Sequence, residues 1–277
     1  MKALLSTDVS VDYRTKPGVL RRFQLEMAAG EIVGLAGQSG SGKSTFALTV
    51  LGLLDRKNAK LTGRVDFAGK NLVESSESDL RKMRGREISL VPQSPLASLN
   101  PCLRLATQFK EAWCAHRPES KARWQEESVA ALSAASLPAE EDFLRRYPRE
   151  LSVGMAQRVL IALAVLHRPK LLIADEATSA LDLITQSEIL TLFKQLSSTY
   201  GISILFITHD LAAAASVCDR LAILYEGEIA ESGAPEQILQ HPAHPYTARL
   251  VAALPVTQLF PNGISNLQES PLGPLVH

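Results

Sequence analysis

The nine residues GQSGSGKST, positions 37–45, constrain the fold of this chain more than any other stretch. They satisfy G-x-x-x-x-G-K-[ST] without a mismatch. An apolar, strand-like run, IVGLAG (32–37), leads into them, and KSTFALTVLGLL (43–54), with helical periodicity, leads out. A strand, a glycine-rich loop and a helix in that order are the context in which this pattern binds nucleotide phosphates. Gly37, Gly40 and Gly42 let the backbone curl until its N–H groups converge on phosphate oxygens. The helix start adds its partial positive charge. Lys43 is placed to reach the β- and γ-phosphates, and the Ser44 hydroxyl can ligate Mg²⁺. Gln38, Ser39, Ser41 and Thr45 complete the loop. A flexible Gly/Ser linker would need neither the strand before it nor the helix after it.

Three further strand ends carry candidate chemistry. LLIADE (171–176) is an apolar strand closing on two acids. At the carboxyl edge of a parallel sheet, Asp175 would hold Mg²⁺ and Glu176 would polarise an attacking water as general base. Taken alone, the pair reads equally as an exposed strand end; beside a complete phosphate loop, the chemical reading prevails. FITHD (206–210) puts His209 at a similar strand end, where a γ-phosphate contact competes with a structural role. VPQSP (91–95) does the same for Gln93, which by composition is only a turn residue but sits where a contact to Mg²⁺ or the lytic water is in reach.

Along the chain, residues 3–36 read as short strands, TGRVDFAGKNL (62–72) as a hairpin and EISLV (87–91) as a buried strand. From about 94 to 168 the texture becomes helical, with segments at ATQFKEAW, KARWQEESVAALSAASL and EDFLRRY punctuated by prolines. Strands return at KLLIAD (170–175) and ISILFIT (202–208), with the helical TQSEILTLFKQLSSTY between them and a hairpin at DRLAILYEGEIAESG. This alternation predicts an α/β fold with a parallel-sheet core, carrying an all-helical insertion. The Pro-, Gly-, Asn- and Ser-containing segment 256–277 predicts an irregular tail.

LSVGMAQRV (151–159) is open to two readings: a helix start capped by Ser152, or half of a phosphate site that a second protein completes. Composition narrows the classes. Lys and Arg together number 29 and so do Asp and Glu, a balance that argues against a nucleic-acid binder. The three cysteines, Cys102, Cys114 and Cys218, are far apart, which fits a reducing cytoplasm rather than a disulfide framework. The N-terminal MKALLSTDVS is too short in apolar residues for a signal peptide, and Asp8 interrupts it. The longest apolar run, VLIALAVL (159–166), falls far below the ~20 residues that span a bilayer.

With these motifs in hand, the chain resembles the ATP-binding-cassette ATPases over nearly its whole length. The phosphate loop (37–45), Q-loop glutamine Gln93, signature LSVGMAQ (151–157), Walker B strand LLIADE, D-loop SALD (179–182) and switch histidine His209 follow in family order. The resemblance implies a P-loop NTPase nucleotide-binding domain over 1–255, with a RecA-like core, an N-terminal antiparallel β subdomain and an inserted helical subdomain. It implies that Ser152, Gly154 and Gln157 of the signature, with Asp182, serve ATP bound by an opposing ATPase. It implies metal contacts from Ser44, Gln93 and Asp175, and catalytic roles for Glu176, His209 and Gln93. Tyr13 stands about where the family stacks an aromatic on adenine; a strand residue packing into the sheet is the other reading.

RGREISLVPQSPLASLNP (84–101) and HPAHPYTARLVAALP (241–255) are similar to the branch serving peptide, nickel and related solute importers. That branch implies ATP and Mg²⁺, a second ATPase subunit, two transmembrane permease subunits and an extracytoplasmic solute-binding protein. It also implies a peripheral position on the cytoplasmic face of the bacterial inner membrane. Departures are Val153 for a signature glycine, Ala156 for arginine, Pro92 before Gln93, Ala177 after Glu176, and no cysteine cluster in 255–277. No iron–sulfur centre is therefore expected. Two other readings stand beside import: an ATPase accessory to a cytosolic enzyme complex such as one for phosphonate breakdown, and a regulatory nucleotide binder that hydrolyses little.

Overall fold

A computed structural model describes residues 3–254, so the tail expected at 256–277 lies outside the described residues. The described strands are β1 (Leu5–Tyr13), β2 (Lys16–Met27), β3 (Ile32–Ala36), β4 (Ala59–Phe67), β5 (Lys70–Asn71), β6 (Ile88–Val91), β7 (Leu171–Asp175), β8 (Ser203–Thr208), β9 (Arg220–Tyr225) and β10 (Glu228–Gly233). They form an antiparallel sheet in the order β2-β1-β4-β5 and a six-stranded sheet in the order β10-β9-β3-β8-β7-β6. In the second, β9, β3, β8, β7 and β6 are parallel, and only β10 runs against its neighbour. Two-residue turns at Ala68–Gly69 and Glu226–Gly227 close the hairpins β4–β5 and β9–β10. Both positions of each turn have positive φ (49° and 84°, 47° and 86°), the twist that matches paired strands.

The central strands read as unbroken apolar runs because both faces are covered. Val33, Leu35, Ile173, Leu205 and Ile207 face the antiparallel sheet and α1 (Lys43–Val50). Ile32, Leu172, Ile204 and Phe206 face the helices on the other side. Phe206 is fully buried, and such burial stabilises by roughly 1.5–3 kcal/mol per large apolar side chain. The helix expected over 43–54 stops early: Gly52, at φ 63°, takes the left-handed conformation that ends helices. α2 (Glu77–Met83), capped by the Ser76 side chain on the Asp79 N–H, leads toward β6.

Between β6 and β7 the chain is helical: α3 (Pro95–Ser98), α4 (Leu105–His116), a 3₁₀ segment Pro118–Arg123, α5 (Trp124–Ala134), α6 (Glu141–Leu144) and α7 (Val153–Val165). Two expected helices are shorter than their sequence patterns. The one read over 121–137 begins only at Trp124, after a break at Ser120 (φ −118°). The one read over 141–147 ends at Leu144, because Tyr147 precedes Pro148 and is extended (ψ 155°). α8 (Leu183–Tyr200), α9 (Leu211–Val217), α10 (Pro235–Gln240) and α11 (Pro245–Ala252) complete the chain.

His167, just after α7, stacks on Trp113 of α4 (centroids 5.0 Å apart, 12° between planes) and lies edge-on to His116 (5.2 Å). Burial lowers its pKa below 6.5; the Ala112 carbonyl, 3.1 Å from Nε2, opposes this, while His116, Arg117 and Arg86 lower it further. A histidine whose folded pKa lies below its unfolded value leaves the unfolded chain holding more protons just beneath pH 6.5, so stability falls as the solution is acidified. The thermal unfolding midpoint is expected to drop from about pH 7.5 to about pH 5.5, and to drop less in His167→Gln. Equal pH slopes for the two proteins in a thermal melt would remove His167 as the cause.

Candidate functional site

The register of the parallel strands brings the candidate residues to one edge. Ala36 is level with Thr208, Asp175 with Ile207, and Val91 with Ala174. The residues that follow each strand, Gly37, His209, Glu176 and Gln93, therefore emerge together at the carboxyl ends, where ligands bind in such sheets.

At the phosphate loop, Gly42 is the N-cap of α1 at φ 114°, and a Cβ there would stand 2.8 Å from the Val19 carbonyl oxygen. At Gly37 a Cβ would meet the Leu224 oxygen at 2.4 Å. Both positions exclude any side chain. Lys43 is 5% exposed, and its Nζ donates to the carbonyl oxygens of Gly37 (2.7 Å) and Gln38 (2.9 Å). Burial lowers the ammonium's pKa, against the pull of the Glu176 and Asp175 charges. A cleft of ≈ 350 Å³ is lined by Ser39, Gly40, Gly42, Lys43, Ser44 and Thr45, with Tyr13, Glu176, Thr15, Lys16 and Val19. Gly37, Gln38 and Ser41, grouped with the rest of the loop in the sequence, are not in this lining.

Ser44 Oγ donates to Asp175 Oδ1 at 3.4 Å. Burial pushes the Asp175 carboxyl pKa up; the Ser44 hydroxyl opposes this, Glu176 adds to it, and Lys43 opposes it. Hydroxyl and carboxylate oxygens beside a helix N-terminus are the hard donors that Mg²⁺ takes. Glu176 is the hub of the remaining contacts. Its Oε2 accepts from Gln93 Nε2 (3.0 Å), and its Oε1 lies 3.5 Å from His209 Nδ1. Its own backbone is left-handed, at φ 49°, and its N–H donates to the Ile207 oxygen. Such a conformation costs a non-glycine residue of order 1–3 kcal/mol and persists only where the surroundings hold it.

Residues 151–157 contribute nothing to the lining of this cleft. Ser152 caps α7, its Oγ accepting the Met155 N–H at 3.2 Å, and Val153 stands 40% exposed at the helix start. Gly154 abuts the start of α8, where a Cβ would be 2.7 Å from Thr185 Cγ2. Asp182 caps α8 through the N–H groups of Ile184 and Thr185 and the Thr185 hydroxyl. The signature start and the D-loop thus form one exposed surface. Gln157 is 1% exposed on the packed side of α7, five residues past the cap.

Sequence reasoning missed two participants. Lys16 reaches Gly40 O (3.2 Å) from the β1–β2 hairpin, and Ser179 donates to Glu176 O (3.0 Å). Ser179 stands in the quoted SALD and carried a usable signal. Lys16 carried none, being an ordinary basic residue in a hairpin.

A family model described as ABC transporter matches residues 20–179. The Oligopeptide transport ATP-binding protein OppD of Escherichia coli (strain K12) is 40% identical over 257 residues, covering 91% of this chain and 76% of that protein. The Dipeptide transport ATP-binding protein DppD of Bacillus subtilis (strain 168) is 38% identical, covering 92% of this chain and 77% of that protein. Among solved structures, cbiO1 from Clostridium perfringens, part of the ABC transporter complex cbiONQ, superposes with a TM-score of 0.75 at 25% identity, covering 87% of this chain and 92% of that one. The ATP-binding cassette MJ0796, as a dimer in a post-hydrolysis state bound to ADP and Pi, gives a TM-score of 0.68 at 28% identity, covering 83% of this chain and 98% of that one.

Proposed function

The chain belongs to the ABC transporter family as an ATP-binding, ATP-hydrolysing subunit, and we propose that it powers the uptake of short peptides through partner membrane subunits. The observation that carries the chemistry is the convergence of Lys43, Ser44, Asp175 and Glu176 at one strand edge beside the cleft that Tyr13 walls. The proposal of a peptide rests on relatives named for oligopeptide and dipeptide transport.

In this reading the phosphate loop and the α1 N-terminus hold the β- and γ-phosphates, Lys43 turns its Nζ from the loop carbonyls to phosphate oxygens, and Tyr13 stacks on the adenine. Ser44 and Asp175, with Gln93 joining them, would hold Mg²⁺, which would supply charge neutralisation for the phosphates. Glu176 Oε1 takes a proton from the attacking water, and His209 donates a hydrogen bond to the transferred phosphoryl group. Ser152 and the backbone at Gly154, on the surface shared with Asp182, meet the nucleotide of a second ATPase subunit. Closure of the two excludes water and completes the charge-stabilising set. Gln93 links the site to the helical subdomain, residues 94–168 within a domain of 1–255, and that subdomain meets one of two permease subunits.

Among the described residues no helix is long and apolar enough to cross a membrane. A peripheral place on the cytoplasmic face of a bacterial inner membrane, reached through the permeases, follows from the proposal. An extracytoplasmic binding protein would deliver the solute. The test is purification of the chain from its own cells with its bound partners, followed by phosphate release with and without peptide. Recovery of permease subunits and peptide-stimulated ATPase is expected. Recovery with soluble enzymes alone would replace import with the cytosolic reading, and stimulation by nickel but not peptide would replace the solute.

A further inference from the structure

The underside of the phosphate loop is held by the far end of the chain. Gly37 lies against the backbone of β9 at Leu224, too close for any Cβ. The next N–H, that of Gln38, donates to the phenolic oxygen of Tyr246 at 3.0 Å, across 208 residues of sequence. Tyr246 is 3% exposed and stacks on Tyr225, at the end of β9, with ring centroids 4.2 Å apart and 25° between planes. α11, which carries it, is itself anchored. Glu231 of β10 accepts the N–H groups of Ala243 and His244 (2.9 and 3.0 Å), and His244 Nδ1 accepts the Tyr246 N–H (3.1 Å).

The loop therefore separates two clefts. The nucleotide cleft lies on one side. On the other lies a cleft of ≈ 360 Å³ walled by Tyr225, Tyr246, Gln38 and Ser41. Lys16, Val19, Ser39 and Gly40 border both. Tyr246 touches the loop only from the side away from the nucleotide, so it cannot act on the phosphates directly.

Resting on the reading of residues 37–45 as an ATP site, we propose that Tyr246 is a positioning residue for ATP binding, its hydroxyl holding the Gln38 N–H so that the loop is set before nucleotide arrives. The physical reason is twofold. An N–H held by a buried hydroxyl is fixed in one conformation; without that hydroxyl the Gln38 segment, itself exposed, shifts to satisfy its N–H elsewhere. Restoring the phosphate-binding arrangement then draws on binding free energy, which is what preorganisation otherwise spares.

The test is Tyr246→Phe in the full chain, which keeps the ring stack and removes only the hydroxyl. ATP affinity is read by displacement of a fluorescent ATP analogue, and KM and kcat in the assembled complex. ATP dissociation constant and KM are expected to rise about tenfold, with kcat within about twofold of wild type. A lowered unfolding midpoint with unchanged affinity and KM would overturn the proposal, leaving Tyr246 as packing alone; so would a fall in kcat at constant KM. Amide exchange of Gln38 in the wild-type protein without nucleotide covers the case of a variant that does not fold. Protection is expected, and exchange at the rate of an open loop overturns the proposal. If wild-type protein and Lys43→Ala bind the analogue equally, the ATP-site reading itself has failed, a result distinct from any of these.

Discussion

Glu176→Gln is expected to bind ATP at least as tightly as the wild-type chain while its turnover in the assembled complex falls by about 10²–10⁴-fold, the range a general base contributes. The substitution changes charge and basicity but scarcely changes shape. The position is held by the backbone, through the left-handed φ of 49° and the N–H bond to Ile207 O, and not by the carboxylate charge. A glutamine carbonyl still accepts from Gln93 Nε2. What it loses is the ability to take a proton from water. The electrostatics favour binding: burial is the main reason the Asp175 pKa is raised, the Glu176 charge adds to it, and that charge would repel a phosphate in the same way. Single-turnover and steady-state phosphate release, beside a nucleotide titration, measure both halves. Turnover at the wild-type rate would remove the general-base assignment.

The second large effect is on binding. Lys43→Ala should weaken ATP binding about a hundredfold or more, since hydrogen bonds from a charged donor contribute about 1.5–3 kcal/mol each and Lys43 commands two acceptor sites. The fold should persist, because alanine suits the first turn of α1 and the helix is buried through Phe46, Ala47 and Val50 rather than through Lys43's amine. Lys43→Arg should not rescue. The Nζ sits between two carbonyl oxygens at 2.7 and 2.9 Å on a residue 5% exposed, a socket for a point charge and not for a planar fork. Nucleotide titration of the three proteins decides this, and wild-type affinity in Lys43→Ala would place the nucleotide elsewhere.

The stretches that were legible share a property. Gly37, Gly40, Gly42, Lys43 and Ser44 act from one strand–loop–helix, so their spacing along the chain is already their spacing in space. Asp175, Glu176, Gln93 and His209 were each legible as strand-end residues because a central parallel strand, buried on both faces, reads as an apolar run with an abrupt polar end. Where local pattern misled, a single backbone feature overrode it. Gly52 ended α1, and the extended Tyr147 before Pro148 cut α6 short.

By itself, the sequence determined that this chain carries a phosphate loop on an α/β core and which side chains stand at the strand ends. Only the tertiary structure decided which of them meet. Gln93 and Glu176 are 83 residues apart, Ser44 and Asp175 131, and Gln38 and Tyr246 208. The strand order β3-β8-β7-β6 sets the first two contacts, and the packing of α11 against β10 sets the third. Hydrophobic periodicity specifies which face of an element is buried, but it carries no information on which element lies beside it. The choice of neighbours is made by the two cores as they pack, and the Tyr246 hydroxyl beneath the phosphate loop is the clearest product of that choice.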